Sequence, residues 1–107
     1  GRMVEPQLKL SVKDSAGGVR NSLNTKNYLQ TMQPETAQVI QGYMLGTVTD
    51  GTASRAAVEG HSIAGKTGTA QVNSSGGKYD PHSWFVGYCA EEEHPYAVAV
   101  VVENGGS

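Results

Sequence analysis

The segment Gly65-Lys66-Thr67-Gly68-Thr69 places a cation and two hydroxyl groups among glycines, and no other part of the sequence is better equipped for chemistry. Its two β-branched threonines favour an extended strand. Glycine weakens a strand interior and often marks a place where another backbone or a ligand comes close. A Gly-rich edge strand with a solvated lysine would explain Lys66 but would give no reason for Gly65 and Gly68. The segment therefore predicts a strand that a ligand or another chain approaches.

Residues 60–67 also match the Gly-x-x-x-x-Gly-Lys-Thr pattern of phosphate-binding loops letter for letter. Such a loop leaves a buried strand and enters a helix, whose N-terminus holds the phosphates. Residues 53–59 do not read as a buried strand, and residues 68–76 read as a strand that ends in a glycine turn. A nucleotide-binding domain at Gly60–Thr67 is therefore kept only as a remote alternative function.

Residues 34–49 have the pattern of an amphipathic helix. Pro34 suits the first helical position, and Gly51 suits a left-handed residue that ends the helix. Gly42 and Gly46 are unfavourable inside a helix, so we expect them to allow close packing against a sheet. The predicted apolar face consists of Ala37, Ile40, Met44 and Val48, with Tyr43 beside it.

Three strand patterns follow this helix, at residues 61–72, 83–90 and 96–103. Their connectors are too short for a crossover helix, so the strands should form an antiparallel meander. Residues 97–102 are apolar at every position, which indicates a sheet that is covered on both faces. The helix can cover only part of one face, so we expect the remaining cover to come from chain outside these 107 residues.

These patterns predict an α/β fold of the α+β type, an antiparallel meander with a covering helix. We expect a hairpin lobe over residues 1–33, with its turn at residues 14–18, because short alternating runs flank that turn. The helix occupies residues 34–50 and the meander residues 61–104. Both ends of the sequence look like the middle of a longer chain, so we expect one piece of a larger domain.

The composition excludes some functions. The net charge is −2 and the isoelectric point is about 5.9, whereas a nucleic-acid-binding protein usually shows a basic face. No apolar run reaches the ~20 residues that a membrane-spanning helix needs. We expect neither a nucleic-acid partner nor a cofactor.

The residues that could bind a metal are scattered along the sequence. Cys89 is the only cysteine and lies in an apolar run, so we expect it to be a small buried side chain. The three histidines lie far apart with no metal-ligand spacing, so no metal site is predicted. The acidic run at residues 91–93 reads as a solvated loop. The histidines are His61, His82 and His94.

Lys66-Thr67-Gly68-Thr69 resembles the Lys-Thr-Gly element of penicillin-binding proteins and serine β-lactamases. The residues around it are similar to those of class B penicillin-binding transpeptidases, and the resemblance covers essentially the whole chain. The tetrapeptide alone is a weak signal, whereas the ordered set is a strong one. The similar runs are residues 3–8, 34–37, 50–54, 65–71, 84–88 and 96–104.

The resemblance implies a role for each residue of this element. Lys66 would hold the hydrogen-bond network of the catalytic serines and attract a carboxylate of the substrate or drug. Thr67 would donate its hydroxyl to that carboxylate, and Gly68 would leave room for the acyl group. The backbone N–H of Thr69 would be one of two oxyanion donors. The implied partners are peptidoglycan stem peptides, β-lactam antibiotics and the remainder of the transpeptidase domain, which bind along or beside the strand's free edge.

The family also requires a Ser-x-x-Lys and a Ser-x-Asn element, in that order, before Lys-Thr-Gly. Residues 75–78 and 22–24 match these patterns by letter, but the first match lies after Lys66 and contains two glycines where a helix is required. We therefore expect the nucleophilic serine to lie outside this chain, and the chain alone to be inactive. The resemblance implies a parent in the bacterial cell membrane, with this domain on the extracytoplasmic side. A binding module on the same scaffold, either a penicillin-recognising sensor or an inactive homologue, is the alternative.

Overall fold

The computed structural model describes residues 1–74 and 77–107 and divides into two compact units, residues 1–37 and 38–107. The first unit contains two antiparallel strand pairs. Strand β1 pairs with β4, and β2 pairs with β3. The strands are β1 (Arg2–Val4), β2 (Ser11–Lys13), β3 (Val19–Ser22) and β4 (Asn27–Gln30).

The turn between β2 and β3 is closed by backbone hydrogen bonds between Asp14 and Gly17 and Gly18, and by the Asp14 side chain. The Asp14 carboxylate accepts hydrogen bonds from the N–H groups of Ala16 and Gly18, at 3.0 and 2.7 Å. Gly17 has a φ of +84°, a conformation that glycine adopts without a steric penalty. The predicted hairpin is therefore present, although β2 begins at Ser11, later than the alternation from Leu8 suggested. The β1–β4 pairing was not predicted.

Helix α1 (Pro34–Thr49) opens at the predicted proline. Val48 on the predicted apolar face is buried and Met44 is half-buried, whereas Ile40 is exposed. Ala37 is half-buried as well, so among the described residues the predicted face is fully covered only at Val48. No helix in the described part of the chain is long and apolar enough to cross a membrane.

The glycines of this helix differ from their predicted roles. Gly51 does not have a positive φ, so the predicted left-handed cap is wrong. A glycine is needed at this position for a steric reason, because a Cβ there would lie 2.8 Å from Cα of Thr47. A Cβ at Gly42 or Gly46 would meet no atom within 4 Å among the described residues. The predicted close packing at those two glycines is therefore not seen in this structure.

A short 3₁₀ turn (Ser54–Ala56) leads from the helix to the main sheet. That sheet has the order β5-β8-β9 with both pairs antiparallel, which confirms the predicted meander. A small hairpin of β6 and β7 lies between its first two strands in the chain. The strands are β5 (Ile63–Ala70), β6 (Asn73–Ser74), β7 (Gly77–Lys78), β8 (His82–Cys89) and β9 (Ala97–Val102).

The described residues bury few side chains. The buried hydrophobic residues are Val48, Ala53 and Ala64, and every residue of β9 is exposed. The chain exposes 8694 Å², whereas a folded monomer of its mass exposes about 5,700 Å². The apolar strand that the sequence marked as covered on both faces is therefore uncovered among these residues.

We expect the isolated 107-residue chain to self-associate, because exposed apolar strands at a sheet edge pair with other chains. Analytical ultracentrifugation over a concentration series would measure this. A monodisperse monomer with a cooperative melt would contradict the prediction.

Candidate active site

Strand β5 lies at one edge of the main sheet, so one side of its backbone has no strand partner among the described residues. The N–H of Ala90 donates to the carbonyl of Ser62 at 2.8 Å, in register with the β5–β8 pairing. In an antiparallel pair, hydrogen-bonded and non-hydrogen-bonded residues alternate. Continuing that alternation directs the N–H and C=O groups of Gly65, Thr67 and Thr69 away from β8, towards the free edge.

Two side-chain hydrogen bonds agree with this alternation. The Thr47 hydroxyl of α1 donates to the carbonyl of Gly65. The Nζ of Lys66 donates to the carbonyl of Thr67 at 2.6 Å. Both carbonyls must point away from β8 to accept these bonds. The N–H of Thr69, two residues further on, therefore also lies on the free edge.

Lys66 is exposed beside this edge. None of the ion pairs formed by the described residues includes it. Its ammonium group has three donor hydrogens, and the bond to the Thr67 carbonyl uses one. The side chain can therefore bind an anionic group at the edge of the sheet.

The hydroxyl of Thr67 has a partner that sequence reasoning missed. It lies 3.2 Å from the hydroxyl of Thr52, in the turn that follows α1. Thr67 itself is half-buried, so its rotamer is restricted by this contact. The sequence signal was the similarity of residues 50–54 to the family pattern, which assigned Thr52 no role. Thr52 orients the Thr67 hydroxyl.

The two glycines that flank Lys66 and Thr67 have different steric surroundings. A Cβ at Gly65 would lie 2.7 Å from the Phe85 ring, so the neighbouring strand explains this glycine. A Cβ at Gly68 would meet only the Cβ of Trp84, at 3.4 Å, which is ordinary contact. Gly68 is exposed. Nothing within the described residues requires a glycine there.

Residues 1–107 match the family model described as penicillin binding protein transpeptidase domain. The chain belongs to this family. Among curated relatives, the peptidoglycan D,D-transpeptidase PbpA of Mycobacterium tuberculosis is 31% identical over 107 residues, covering 98% of this chain and 21% of the relative. The protein of the same name from Mycolicibacterium smegmatis is 27% identical over 106 residues, covering 99% of this chain and 21% of the relative. The chain thus spans about a fifth of the length of these relatives.

Solved structures of this family share the fold. The D,D-transpeptidase domain of a peptidoglycan glycosyltransferase from Eggerthella lenta superposes with a TM-score of 0.79 at 34% identity, over 98% of this chain and 24% of that one. Penicillin-binding protein A from M. tuberculosis, solved as an imipenem acyl-enzyme complex, gives a TM-score of 0.79 at 28% identity over 100% of this chain and 23% of that one. These likenesses confirm the predicted α+β fold.

The sequence of this penicillin-binding protein chain contains three other motif matches, at residues 60–67, 22–24 and 75–78, and the structure places them as follows. Gly60 has a φ of +79° but Ile63–Ala70 is a strand, so the helix that a phosphate loop requires is replaced by β5. Ser22 ends strand β3 in the first unit, on an exposed hairpin. The match at residues 75–78 begins outside the described residues.

A second group of polar side chains lies where β8 ends. Its structure differs from three predictions: that Cys89 is buried, that Glu91 is solvated, and that the histidines lie far apart. Cys89 is half-exposed rather than buried, because β8 ends there and the chain turns away. Glu91 is not a solvated loop residue, since its carboxylate accepts hydrogen bonds from the N–H of Ser62 and from both His61 and His94. These bonds, that of Ser62 foremost, lower the pKa of Glu91 to about 2. The two histidines therefore lie together, although 33 positions separate their numbers in the sequence.

Proposed function

We propose that this chain is the part of a peptidoglycan D,D-transpeptidase that forms one wall of the active-site cleft. The free edge of β5 carries the proposal, because it presents Lys66, Thr67 and the N–H of Thr69 on one exposed strand. The M. tuberculosis and M. smegmatis relatives are named as peptidoglycan D,D-transpeptidases. The nucleophilic serine belongs to a part of the domain outside residues 1–107.

The reaction is acyl transfer through that serine. Its oxygen attacks the carbonyl carbon of a stem peptide or of a β-lactam ring, and the carbonyl oxygen becomes an oxyanion. The N–H of Thr69 donates a hydrogen bond to this oxyanion. The C–N bond then breaks, its nitrogen takes up the proton that the serine hydroxyl lost, and an acyl-serine remains. The amine of a stem peptide departs, whereas the nitrogen of a β-lactam stays attached to the opened ring. A second amine or water takes the acyl group.

Lys66 and Thr67 bind the anionic end of the substrate. A charge-assisted bond from Nζ of Lys66 and a bond from the Thr67 hydroxyl hold the carboxylate of the stem peptide or the drug. The Thr52 hydroxyl keeps Thr67 in position. Gly68 leaves space for the acyl group next to Trp84. The substrate backbone adds to the sheet as a strand along the free edge.

The remainder of the transpeptidase domain covers the exposed faces of the sheet. A groove of about 390 Å³ on this sheet is lined mainly by apolar side chains, including Ile63, Phe85 and Val98, and it receives part of that cover. The parent protein is anchored in the bacterial cell membrane and holds this domain on the extracytoplasmic side, where peptidoglycan is assembled.

Replacing Lys66 by alanine in a complete transpeptidase domain that carries this chain is expected to slow acylation by a fluorescent penicillin about 10- to 100-fold. That range is the loss of one hydrogen bond to a charged group. The second-order acylation rate would be measured from gel fluorescence over time. The matched control is Lys13→Ala, an exposed lysine on β2, which should acylate at the unchanged rate. An unchanged rate for Lys66→Ala would contradict the proposal.

A penicillin-recognising sensor would also be acylated, so the acylation test does not separate the two functions. Transfer of a stem-peptide acyl group to an added amine separates them. We expect the complete domain to form the transfer product, and formation of the acyl-serine alone would instead indicate a sensor.

A further inference from the structure

Four side chains with metal-ligating atoms meet where β5 begins and β8 ends. His61, Cys89, Glu91 and His94 each offer one ligand atom, and these atoms all lie within 4.8 Å of one another. The Nδ1 atoms of His61 and His94 lie 3.2 and 2.9 Å from the same carboxylate oxygen, Oε2 of Glu91. We call these four residues the strand-end cluster.

The backbone around the strand-end cluster is fixed by hydrogen bonds. Cys89 pairs across the sheet with Ile63, and its N–H donates to the carbonyl of Tyr96 at 2.9 Å. The N–H of His94 donates to the carbonyl of Glu91 at 3.2 Å, which closes the turn between β8 and β9. The ligand atoms are therefore carried by a sheet end and a closed turn, so little ordering is needed to bring them together.

The second oxygen of Glu91 is also engaged. Oε1 accepts the N–H of Ser62 at 2.7 Å, which fixes the plane of the carboxylate and leaves Oε2 facing the two imidazoles. Partners of this kind orient metal ligands and are worth 10- to 100-fold in affinity.

The set of ligand types selects the metal. Ca²⁺ and Mg²⁺ prefer oxygen ligands alone, whereas two imidazoles, one thiolate and one carboxylate suit zinc. Tetrahedral zinc with these ligands requires ligand atoms about 3.3–3.8 Å apart. The widest separation in the strand-end cluster must shorten by about 1 Å and the two Nδ1–Oε2 distances must lengthen slightly, and rotation of these partly exposed side chains can supply both changes.

We propose that the strand-end cluster binds one zinc ion in a structural site with four protein ligands. On binding, the Cys89 thiol releases its proton to solvent, and each imidazole carries its single proton on the nitrogen that faces away from the metal. The ion replaces the hydrogen bonds to Oε2 of Glu91. Four protein ligands leave no open position for a reacting water, so the ion holds the structure together.

The ion fastens His61, two residues before β5, to the last residue of β8 and to the turn that follows it. Lys66 lies three residues after Ile63 on the same strand, about 10 Å along it. Zinc therefore stabilises the strand that carries the proposed cleft residues without touching them. This inference is independent of the proposed transpeptidase activity, because it concerns the opposite end of β5 from Thr69.

A hydrogen-bonded turn without metal is the competing explanation, and Cys89 distinguishes the two. Such a turn needs Glu91 and the histidines, and from Cys89 it needs only a hydrogen-bond donor to the Glu91 carboxylate, which a hydroxyl also supplies. Cys89→Ser keeps the size of the side chain and a hydroxyl donor, so it should preserve a hydrogen-bonded turn while removing a soft ligand from a zinc site.

The test uses a complete transpeptidase domain that carries this chain, stripped with a chelator and titrated with zinc. We expect one equivalent to bind, a raised melting temperature, and an affinity about 100-fold or more lower in Cys89→Ser and in His94→Ala. Glu92→Gln is the matched control, because it removes one negative charge from an exposed position of the same turn and should bind zinc normally. With Co²⁺ in place of zinc, the unmodified domain should show a thiolate-to-cobalt charge-transfer band that Cys89→Ser lacks.

Three results would overturn the proposal. The first is the absence of stoichiometric zinc binding, and the second is binding that survives in both cluster variants. The third is a cobalt complex without the thiolate band. Acylation by penicillin is a separate readout, so failure of the zinc site and failure of the transpeptidase proposal are distinguishable.

Discussion

Replacing Thr69 by proline should lower the rate of penicillin acylation about 10²- to 10³-fold, which is the usual cost of losing one oxyanion donor. Proline lacks the N–H that we place on the free edge of β5. In the interior of a sheet proline would also break a ladder bond, but at an edge-facing position no such bond is lost. The complete domain should therefore fold, and its circular dichroism and melting temperature would verify this.

The matched control is Thr69→Ala, which keeps the backbone N–H and removes only the side chain. We expect it to acylate within a few-fold of the unmodified domain. Gly68→Pro is the variant that we expect to misfold. The N–H of Gly68 faces β8, so removing it breaks a hydrogen bond of the sheet. If Thr69→Pro acylated as fast as Thr69→Ala, the backbone of Thr69 would not be an oxyanion donor.

The helix and the main sheet could be predicted because their signals are local. Pro34 marked the start of α1, and the apolar run of residues 97–102 marked β9. The connectors were too short for a parallel crossover, which left the antiparallel meander. The β1–β4 pair could not be predicted in this way, because Arg2 and Gln30 pair across 28 positions in segments with little apolar alternation.

The candidate site also has one part that the sequence predicts and one part that it does not. Lys66, Thr67, Gly68 and Thr69 are adjacent in sequence, so one strand brings them together and their motif is readable. Their roles stay predictions until the variants are measured. The contact of Thr67 with Thr52 depends on how the turn after α1 packs against β5, which no local pattern encodes.

The strand-end cluster escaped sequence analysis for a related reason. His61 and Glu91 are 30 positions apart, and only the register of β5 against β8 makes them neighbours. A search for metal ligands at short spacings cannot find such a set. Once the meander was predicted, however, the Ser62–Ala90 pairing would have placed His61 next to the turn that holds Glu91. Predicted register is thus a better guide to ligand sets than spacing along the chain.

Replacing Gly87 by valine should destabilise the complete domain by about 3 kcal/mol, the upper part of the range for overpacking a tight site. Gly87 is buried opposite Gly65, and a Cβ there would lie 2.7 Å from the Phe85 ring and 3.0 Å from the Ala64 carbonyl. The ring can move, but the backbone of β5 can yield only by loosening the sheet. Urea unfolding would measure the loss.

Two further variants test the cause of this loss. Gly68→Ala adds a methyl group to the same sheet, but this methyl group would make only ordinary contact with Trp84. The stability of the domain should therefore change little. Combining Gly87→Val with Phe85→Leu removes the ring that the new side chain meets, and the two changes should cost less together than the sum of their separate costs. Additive costs would show that the ring is not what excludes a side chain at Gly87. The close approach of the β5 and β8 backbones would then be what excludes a side chain at Gly65 and Gly87. The Phe85 ring would only fill the space beside these two glycines.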